Sequence, residues 1–106
     1  MWKLLGGLGE ENQAEVAWLI NQQVVQTGIN KGLPFEYTLN GVPTESAMTE
    51  LTAVQAIFSG KPDKEIMRIL KSDYLPIRMK ELQELQKAGY EFVFDEINNS
   101  YIFTLP

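Results

Sequence analysis

Apolar residues recur at helical spacing in the first quarter of the chain. Over residues 10–27 they recur at helical spacing along one face, and the polar face is rich in amides. The apolar positions of this stripe are Val16, Leu19, Ile20 and Val24. Such a period is typical of an amphipathic helix. Gly28 follows at the point where a left-handed C-terminal stop would fall. We therefore predict a helix from about residue 10 to residue 27.

The period then changes from that of a helix to that of a strand. Phe35, Tyr37 and Leu39 alternate with polar residues, which is the pattern of a half-buried strand. Asn40-Gly41 is a strong turn signal, but only two residues separate it from the next helix signal. A full return strand is therefore not expected. The segment is interpreted either as a short edge strand or as an extended linker.

Three further helices are predicted over residues 45–58, 62–71 and 76–88. Thr44 suits the N-cap of the first, because its hydroxyl can accept a hydrogen bond from the first helical turn. Proline stands at the start of each of the other two, where its missing N–H costs nothing. The connection between these last two helices is about four residues, as in a helix-turn-helix.

After Gly89 the apolar residues alternate again. Tyr90, Phe92 and Phe94 mark one arm, and the second arm carries Tyr101, Phe103 and Leu105. Asn98-Asn99 between the arms is a plausible turn, because asparagine tolerates left-handed backbone. The pattern predicts a β-hairpin. A lone hairpin is marginal in water, so we expect its aromatic face to pack on the helices.

This order of elements predicts an α+β fold that is mainly helical. We expect a winged helix-turn-helix with a C-terminal β-hairpin wing and an added N-terminal helix. Residues 1–43 would form that helix and an extended segment, which either brace the core or mediate dimerisation. Residues 44–106 would form the winged helix-turn-helix itself. The two parts are expected to make one compact domain.

Several short segments carry a family resemblance when taken in order. They are Ser59-Gly60 at a helix end, Glu65-Ile66 in a short helix, Leu82-Gln83-Glu84-Leu85 in the recognition position, Lys87 to Glu91 at its exit, and Tyr101 to Leu105 closing the hairpin. With this arrangement, residues 49–106 resemble the N-terminal winged helix-turn-helix of the biotin operon repressor type. The resemblance implies DNA binding, a function of many members. It does not imply biotin chemistry.

Composition argues against an enzyme. The chain contains neither cysteine nor histidine, which excludes disulfides, thiolate metal sites and the commonest general base. Neighbouring carboxylates occur, but no third metal ligand or phosphate-binding glycine loop accompanies them. We therefore predict no catalytic residue, no metal and no cofactor. The N-terminal apolar run is too short and glycine-rich for a membrane span. A cytoplasmic protein without membrane contact is expected.

Charge is distributed unevenly along the chain. The net charge of −5 is unfavourable for nucleic-acid binding, yet residues 61–87 carry seven basic and five acidic groups. The basic residues of the 62–71 helix, with the lysine that directly precedes it, lie on one face and would contact phosphates. They are Lys61, Lys64, Arg68 and Lys71. The 76–88 helix would read bases, since arginine suits guanine and glutamine suits adenine. Its candidates are Arg78, Lys80, Gln83 and Lys87.

Two interpretations of function therefore stand beside each other. The first is a small transcriptional regulator that binds double-stranded DNA. The alternative is a winged-helix protein-interaction module, an adaptor or inhibitor, that contacts its partner through the acidic wing or the N-terminal half. Asp95 and Glu96 at the wing tip and Glu81 and Glu84 on the recognition helix favour the alternative, because carboxylates repel phosphates. Charged stripes are also common on solvated helix faces. The N-terminal helix could pair two subunits into a homodimer.

Overall fold

The computed structural model describes residues 2–3 and 14–106, and for residues 2–3 and 14–18 it describes the backbone only. The helices are α1 (Ala14–Asn30), α2 (Thr44–Phe58), α3 (Asp63–Leu70) and α4 (Ile77–Lys87). The strands are β1 (Trp2–Lys3), β2 (Phe35–Thr38), β3 (Glu91–Asp95) and β4 (Ser100–Thr104). The prediction of a mainly helical α+β protein with a C-terminal hairpin is confirmed.

The strands form one sheet in the order β1-β2-β4-β3. The hairpin strands β3 and β4 are antiparallel, and β4 also pairs antiparallel with β2. The two-residue strand β1 runs parallel to β2 on its other side. The segment around residue 36 is thus an internal strand, neither an edge strand nor a linker. Its pairing joins the first 43 residues to the C-terminal hairpin.

The aromatic face of this sheet packs on the helices, as the sequence predicts. Phe35, Tyr101 and Phe103 are each at most 1% exposed. The ring of Phe103 stacks on that of Phe58 at the end of α2, with centroids 5.5 Å apart. Phe92 closes the cluster, 5.1 Å from Phe58. Helix α2 therefore stabilises the hairpin by aromatic packing. A hairpin needs such packing because it is only marginally stable alone in water.

Helix α1 packs against α4 with a different face from the one its apolar stripe suggests. Leu19 and Ile20 are 56% and 60% exposed, whereas Asn21, Val25 and Gly28 are buried. The buried positions follow the i, i+4, i+7 rule of a single helix face. The apolar stripe of α1 is thus only partly used in the described fold, and Leu19 and Ile20 face outward.

Gly28 lies inside α1 and does not end it. The helix continues to Asn30, and the left-handed glycine is Gly32, with a φ of +67°. Gly28 is needed for a close approach, because a Cβ atom there would lie 2.7 Å from Cζ of Phe35. Its role is therefore packing of α1 on β2. Residues 10–13 of the predicted helix fall outside the described residues.

Two other predicted boundaries change. Thr44 is the first residue of α2, preceded by Pro43, and its side chain forms no capping hydrogen bond. The connection from α3 to α4 spans residues 71–76, six residues where about four were predicted. It begins with Lys71 in the left-handed conformation, and Ser72 Oγ accepts a hydrogen bond from the amide of Tyr74. This connection sets where α4 begins.

Replacing Gly28 by alanine is expected to lower the free energy of unfolding. Overpacking a filled core costs about 1–3 kcal/mol, whereas alanine in place of glycine in a helix gains at most about 1 kcal/mol. The cost of overpacking should exceed the gain in helix propensity, because the obstructing Phe35 ring is itself 1% exposed and has little room to move. Urea unfolding would measure the loss. The control is Thr27→Ala, at an exposed neighbouring position, which should leave stability nearly unchanged. A gain in stability for Gly28→Ala would contradict the close approach.

Candidate nucleic-acid interface

Helix α4 has a buried side and an outward side. Its buried residues are Ile77, Met79, Glu81, Leu82 and Leu85. Both α1 and α2 pack against it. The outward side carries polar residues at i, i+3, i+4 and i+7, a single helical stripe. These residues are Lys80, Gln83, Glu84 and Lys87. Lys87 is exposed and the other three are partly exposed, so a ligand can reach this stripe.

The N-terminal turn of α3 lies beside that stripe. Gln83 Nε2 donates a hydrogen bond of 2.6 Å to Oδ1 of Asp63, the first residue of α3. Lys61 and Lys64, on either side of Asp63 in the chain, are exposed. The contact therefore brings the start of α3, where these two lysines stand in the chain, next to the stripe of α4. We call this region the lysine surface and define it as Lys61, Lys64, Lys80, Gln83 and Lys87.

Arg68 and Lys71 lie further along α3. The guanidinium of Arg68 forms an ion pair with Glu65, one turn before it, and its Nε lies 3.2 Å from Glu65 Oε2. The hydrogen bond with Arg68 lowers the pKa of Glu65, and the same bond raises the pKa of Arg68. Lys71 is exposed at the C-terminal end of the helix. Both cations border a cleft between α3 and α2, and the charge of Arg68 is partly offset by Glu65.

Arg78 is held on the opposite side of α4 from the stripe. Its Nη2 donates to Glu50 Oε1 at 2.8 Å, and its Nε donates to the same oxygen at 3.1 Å. The Tyr37 hydroxyl donates to Glu50 Oε2 at 3.1 Å. Burial, and then the nearby charge of Glu50, raises the pKa of Tyr37 above its ordinary range. Arg78 therefore joins α4 to α2 and β2, and the structure does not bring it together with Lys80, Gln83 and Lys87.

The sequence contains a signal for this network. Glu50 shares its helix face with Ala53, Val54 and Ile57, which are all buried. A carboxylate on a buried face needs a cationic or hydrogen-bonding partner, because an isolated buried charge is costly. Arg78 is 28 residues away in the chain, so the periodicity of α2 identifies the need for a partner but not which residue meets it.

One of the two carboxylates expected to weaken DNA binding through α4 lies inside the protein. Glu81 is 1% exposed, on the side of α4 that faces its helix neighbours. Glu84 remains on the outward stripe beside Lys80 and Lys87. The outward stripe of α4 therefore carries one carboxylate, where the sequence suggested two.

The hairpin loop offers no cation. Residues 88–106 contain neither lysine nor arginine. Asp95 Oδ1 accepts hydrogen bonds from the amides of Ile97 and Asn98, and Asn98 Nδ2 donates to Asp95 Oδ2. Asn99 adopts the left-handed conformation, with a φ of 52°, as the Asn98-Asn99 turn predicts. Ile97 at the tip is 94% exposed.

The Asp95 carboxylate should make the hairpin turn sensitive to acid. The hydrogen bonds from Asn98, the side-chain bond first, lower the pKa of Asp95. A lowered folded-state pKa stabilises the fold above the unfolded pKa of about 3.9, and this stabilisation is lost as pH falls through the folded value. Asp95→Ala should therefore be less stable than the parent at pH 7, with a difference that shrinks towards pH 2. Thermal unfolding across this range would measure it. Glu96→Ala, which changes the adjacent exposed carboxylate, is the control.

Comparison with family models, curated proteins and solved structures finds nothing that matches this chain. Within the described residues, no helix combines the length and the apolar character that crossing a bilayer requires.

Proposed function

We propose that this chain is a small DNA-binding transcriptional regulator that uses a winged helix-turn-helix. Helices α2, α3 and α4 would form the three-helix unit, and β3 and β4 would form the wing. Helix α4 would enter the major groove with its outward stripe. The observation that carries the proposal is the lysine surface, where the outward stripe of α4 meets the start of α3 with its exposed Lys61 and Lys64.

The proposed contacts divide into two kinds. Lys61, Lys64 and Lys87, at the edge of the surface, would bind phosphates, which fix orientation without reading sequence. Lys80 and Gln83 would reach base edges, where lysine suits guanine and glutamine suits adenine. To read a base, Gln83 would have to exchange its hydrogen bond with Asp63 for one with DNA. Arg68 and Lys71 would add flanking phosphate contacts, and Arg78 is left out of the reading set.

Binding should depend steeply on salt but remain modest in strength, because the wing contributes no cation. With four lysines on phosphates (Lys61, Lys64, Lys71 and Lys87), and Arg68 left out of the count because Glu65 partly offsets its charge, the logarithm of affinity should fall with the logarithm of salt with a slope of about −3.6. Affinity for duplex DNA should thus drop about 100-fold between 50 and 200 mM salt. Fluorescence anisotropy of a labelled duplex measures this directly. An absence of binding at micromolar protein and low salt would refute the proposal.

Charge reversal on the outward stripe should remove binding without unfolding the protein. The double variant Lys80→Glu with Lys87→Glu loses two favourable contacts and adds repulsion, so its affinity at 50 mM salt should fall by about 100-fold or more. The matched control is Lys31→Glu, at an exposed lysine just beyond the end of α1. Equal affinities for the two variants would contradict the assignment. Arg78 is unsuitable for this test because its loss would leave Glu50 unpaired.

A second candidate function is a protein-interaction module that does not bind DNA. The hairpin favours it, since Phe94 and Ile97 expose apolar surface on either side of Asp95 and Glu96 in the chain. Under this candidate the anisotropy experiment gives no binding at any salt concentration, and neither variant changes that result. The same measurement therefore separates the two candidates.

A further inference from the structure

A polar cleft of about 320 Å³ lies where α2, the end of α3 and the start of α4 meet. We call it the three-helix cleft. Its volume is at the lower end of the range for small-molecule sites, which is about 300–1,000 Å³. The charged residues that line it in the described part of the chain are Glu45 and Glu50 of α2, Lys71 directly after α3, and Arg78 of α4. Two carboxylates and two cations therefore face one small volume.

Two of these charges already neutralise each other. Nη2 of Arg78 donates a hydrogen bond of 2.8 Å to Oε1 of Glu50, and the Tyr37 hydroxyl donates to Oε2 of the same carboxylate. The side chains of Glu50 and Arg78 are 9% and 22% exposed. Residues from α2, α4 and β2 hold this network, so it forms a fixed and electrically neutral wall of the cleft.

The other two charges of the cleft, on Glu45 and Lys71, are exposed. Within the described residues, neither side chain forms an ion pair or a hydrogen bond, although both line the same cleft. An adjoining cleft shares Lys71 and adds Arg68, whose charge is partly offset by Glu65. The three-helix cleft thus presents one anion and one cation that lie too far apart to pair. This arrangement is complementary to a ligand that carries both charges.

The remaining lining residues suit the body of such a ligand. Ser46 and Thr49 on α2 carry hydroxyl groups that can donate or accept hydrogen bonds. Ile69 and Leu70 at the end of α3 are half-buried and line the cleft with aliphatic groups. A few polar groups beside an apolar surface are typical of sites that orient a small molecule.

We propose that the three-helix cleft binds a small zwitterion, a free amino acid with an aliphatic side chain. Its ammonium group would bind Glu45, its carboxylate would bind Lys71, and its side chain would lie against Ile69 and Leu70. Both groups of an amino acid are charged at pH 7. A ligand with a single charge would satisfy one of the two exposed residues and leave the other without a partner. The cleft shares no residue with the lysine surface, so this proposal does not rest on DNA binding.

The test is an NMR titration of the ¹⁵N-labelled full chain at pH 7 with three ligands of one carbon skeleton. They are leucine, 4-methylpentanoate, which lacks the ammonium group, and 3-methylbutylamine, which lacks the carboxylate. Leucine should shift the amides of Glu45, Thr49 and Lys71. It should bind about five-fold or more tightly than either other ligand, because each lacks one charge-assisted contact.

Three results of this titration would overturn the proposal. If 4-methylpentanoate bound as tightly as leucine, the cleft would be a simple anion site. If 3-methylbutylamine did so, it would be a simple cation site. An absence of shifts in the cleft at millimolar leucine would show that the cleft binds no amino acid of this kind.

Variants assign each charge of the ligand to one residue. Glu45→Gln should remove the advantage of leucine over 4-methylpentanoate, and Lys71→Gln should remove its advantage over 3-methylbutylamine. A merely structural effect would weaken all three ligands alike. Glu91→Gln and Lys31→Gln are the controls, since they make the same charge changes at exposed residues that do not line the cleft. Retention of both advantages in the cleft variants, or equal losses in the controls, would contradict the assignment.

Discussion

Replacing Phe103 by alanine should lower the free energy of unfolding by about 3–5 kcal/mol. Its side chain is fully buried at the centre of the sheet. In register it lies between Phe35 on β2 and Phe92 on β3, and its ring stacks on Phe58 of α2. Removing the ring leaves a cavity where the hairpin, the internal strand and α2 meet, and the fixed neighbours can fill it only partly.

Urea unfolding with both variant and parent would measure this loss. A domain of this size has a total stability of about 5–15 kcal/mol, so the variant should unfold at a much lower urea concentration. Val93→Ala is the control on the same hairpin, because Val93 is 59% exposed on the other face of β3. Its effect should stay near about 0.5 kcal/mol. If Phe103→Ala and Val93→Ala lost similar free energies of unfolding, Phe103 would not be the contact that joins the hairpin, β2 and α2.

The hairpin and the last two helices could be predicted closely because their signals are local. The recurrence of an aromatic residue at every second position, at Tyr90, Phe92 and Phe94, specifies a strand face without reference to the rest of the chain. Pro62 and Pro76 directly precede the first residues of α3 and α4. These residues act on the backbone at their own positions, so boundaries derived from them fall within a residue or two of those in the structure.

The buried face of α1 could not be predicted from its own sequence. Leu19 and Ile20 are the more apolar residues, yet Asn21 and Gly28 are buried. The choice depends on α4 and on the Phe35 ring, which needs the space that a glycine leaves. The pairing of β2 with β4 likewise depends on residues more than sixty positions later. Non-local partners decide these features, and no local period encodes them.

The same limit applies to the candidate site. Charge clustering in residues 61–87 identified the segment in which the lysine surface lies. It could not separate Arg78, which is paired with Glu50, from Lys80 two residues later, which lies on the outward stripe. Nor could it show that Glu81 is buried while Glu84 is not. Each distinction depends on which side of α4 its helix neighbours cover.

Replacing Glu50 by leucine should lower the free energy of unfolding by about 3 kcal/mol. The change leaves the Arg78 guanidinium, 22% exposed, without its carboxylate, and it removes the acceptor of the Tyr37 hydroxyl. Breaking one partner of a buried pair costs about 3–5 kcal/mol, and the partial exposure of Arg78 places this case at the lower end. Urea unfolding measures the loss. Glu45→Leu, at an exposed glutamate in the first turn of the same helix, should cost far less.

The double variant Glu50→Leu with Arg78→Leu tests whether Arg78 has a structural role or contacts DNA. Replacing both charges by apolar groups removes the unpaired ion, so the double variant should be at least as stable as Glu50→Leu alone. The single variant Arg78→Leu completes the comparison. A loss in the double variant equal to the sum of the losses in the two single variants would contradict direct pairing, because the effects of independent sites add and those of coupled sites do not. Since Arg78 lies away from the lysine surface, the folded double variant should bind duplex DNA with about the affinity of the parent protein. A loss of affinity as large as that of the Lys80 and Lys87 double variant would return Arg78 to the DNA-contacting set.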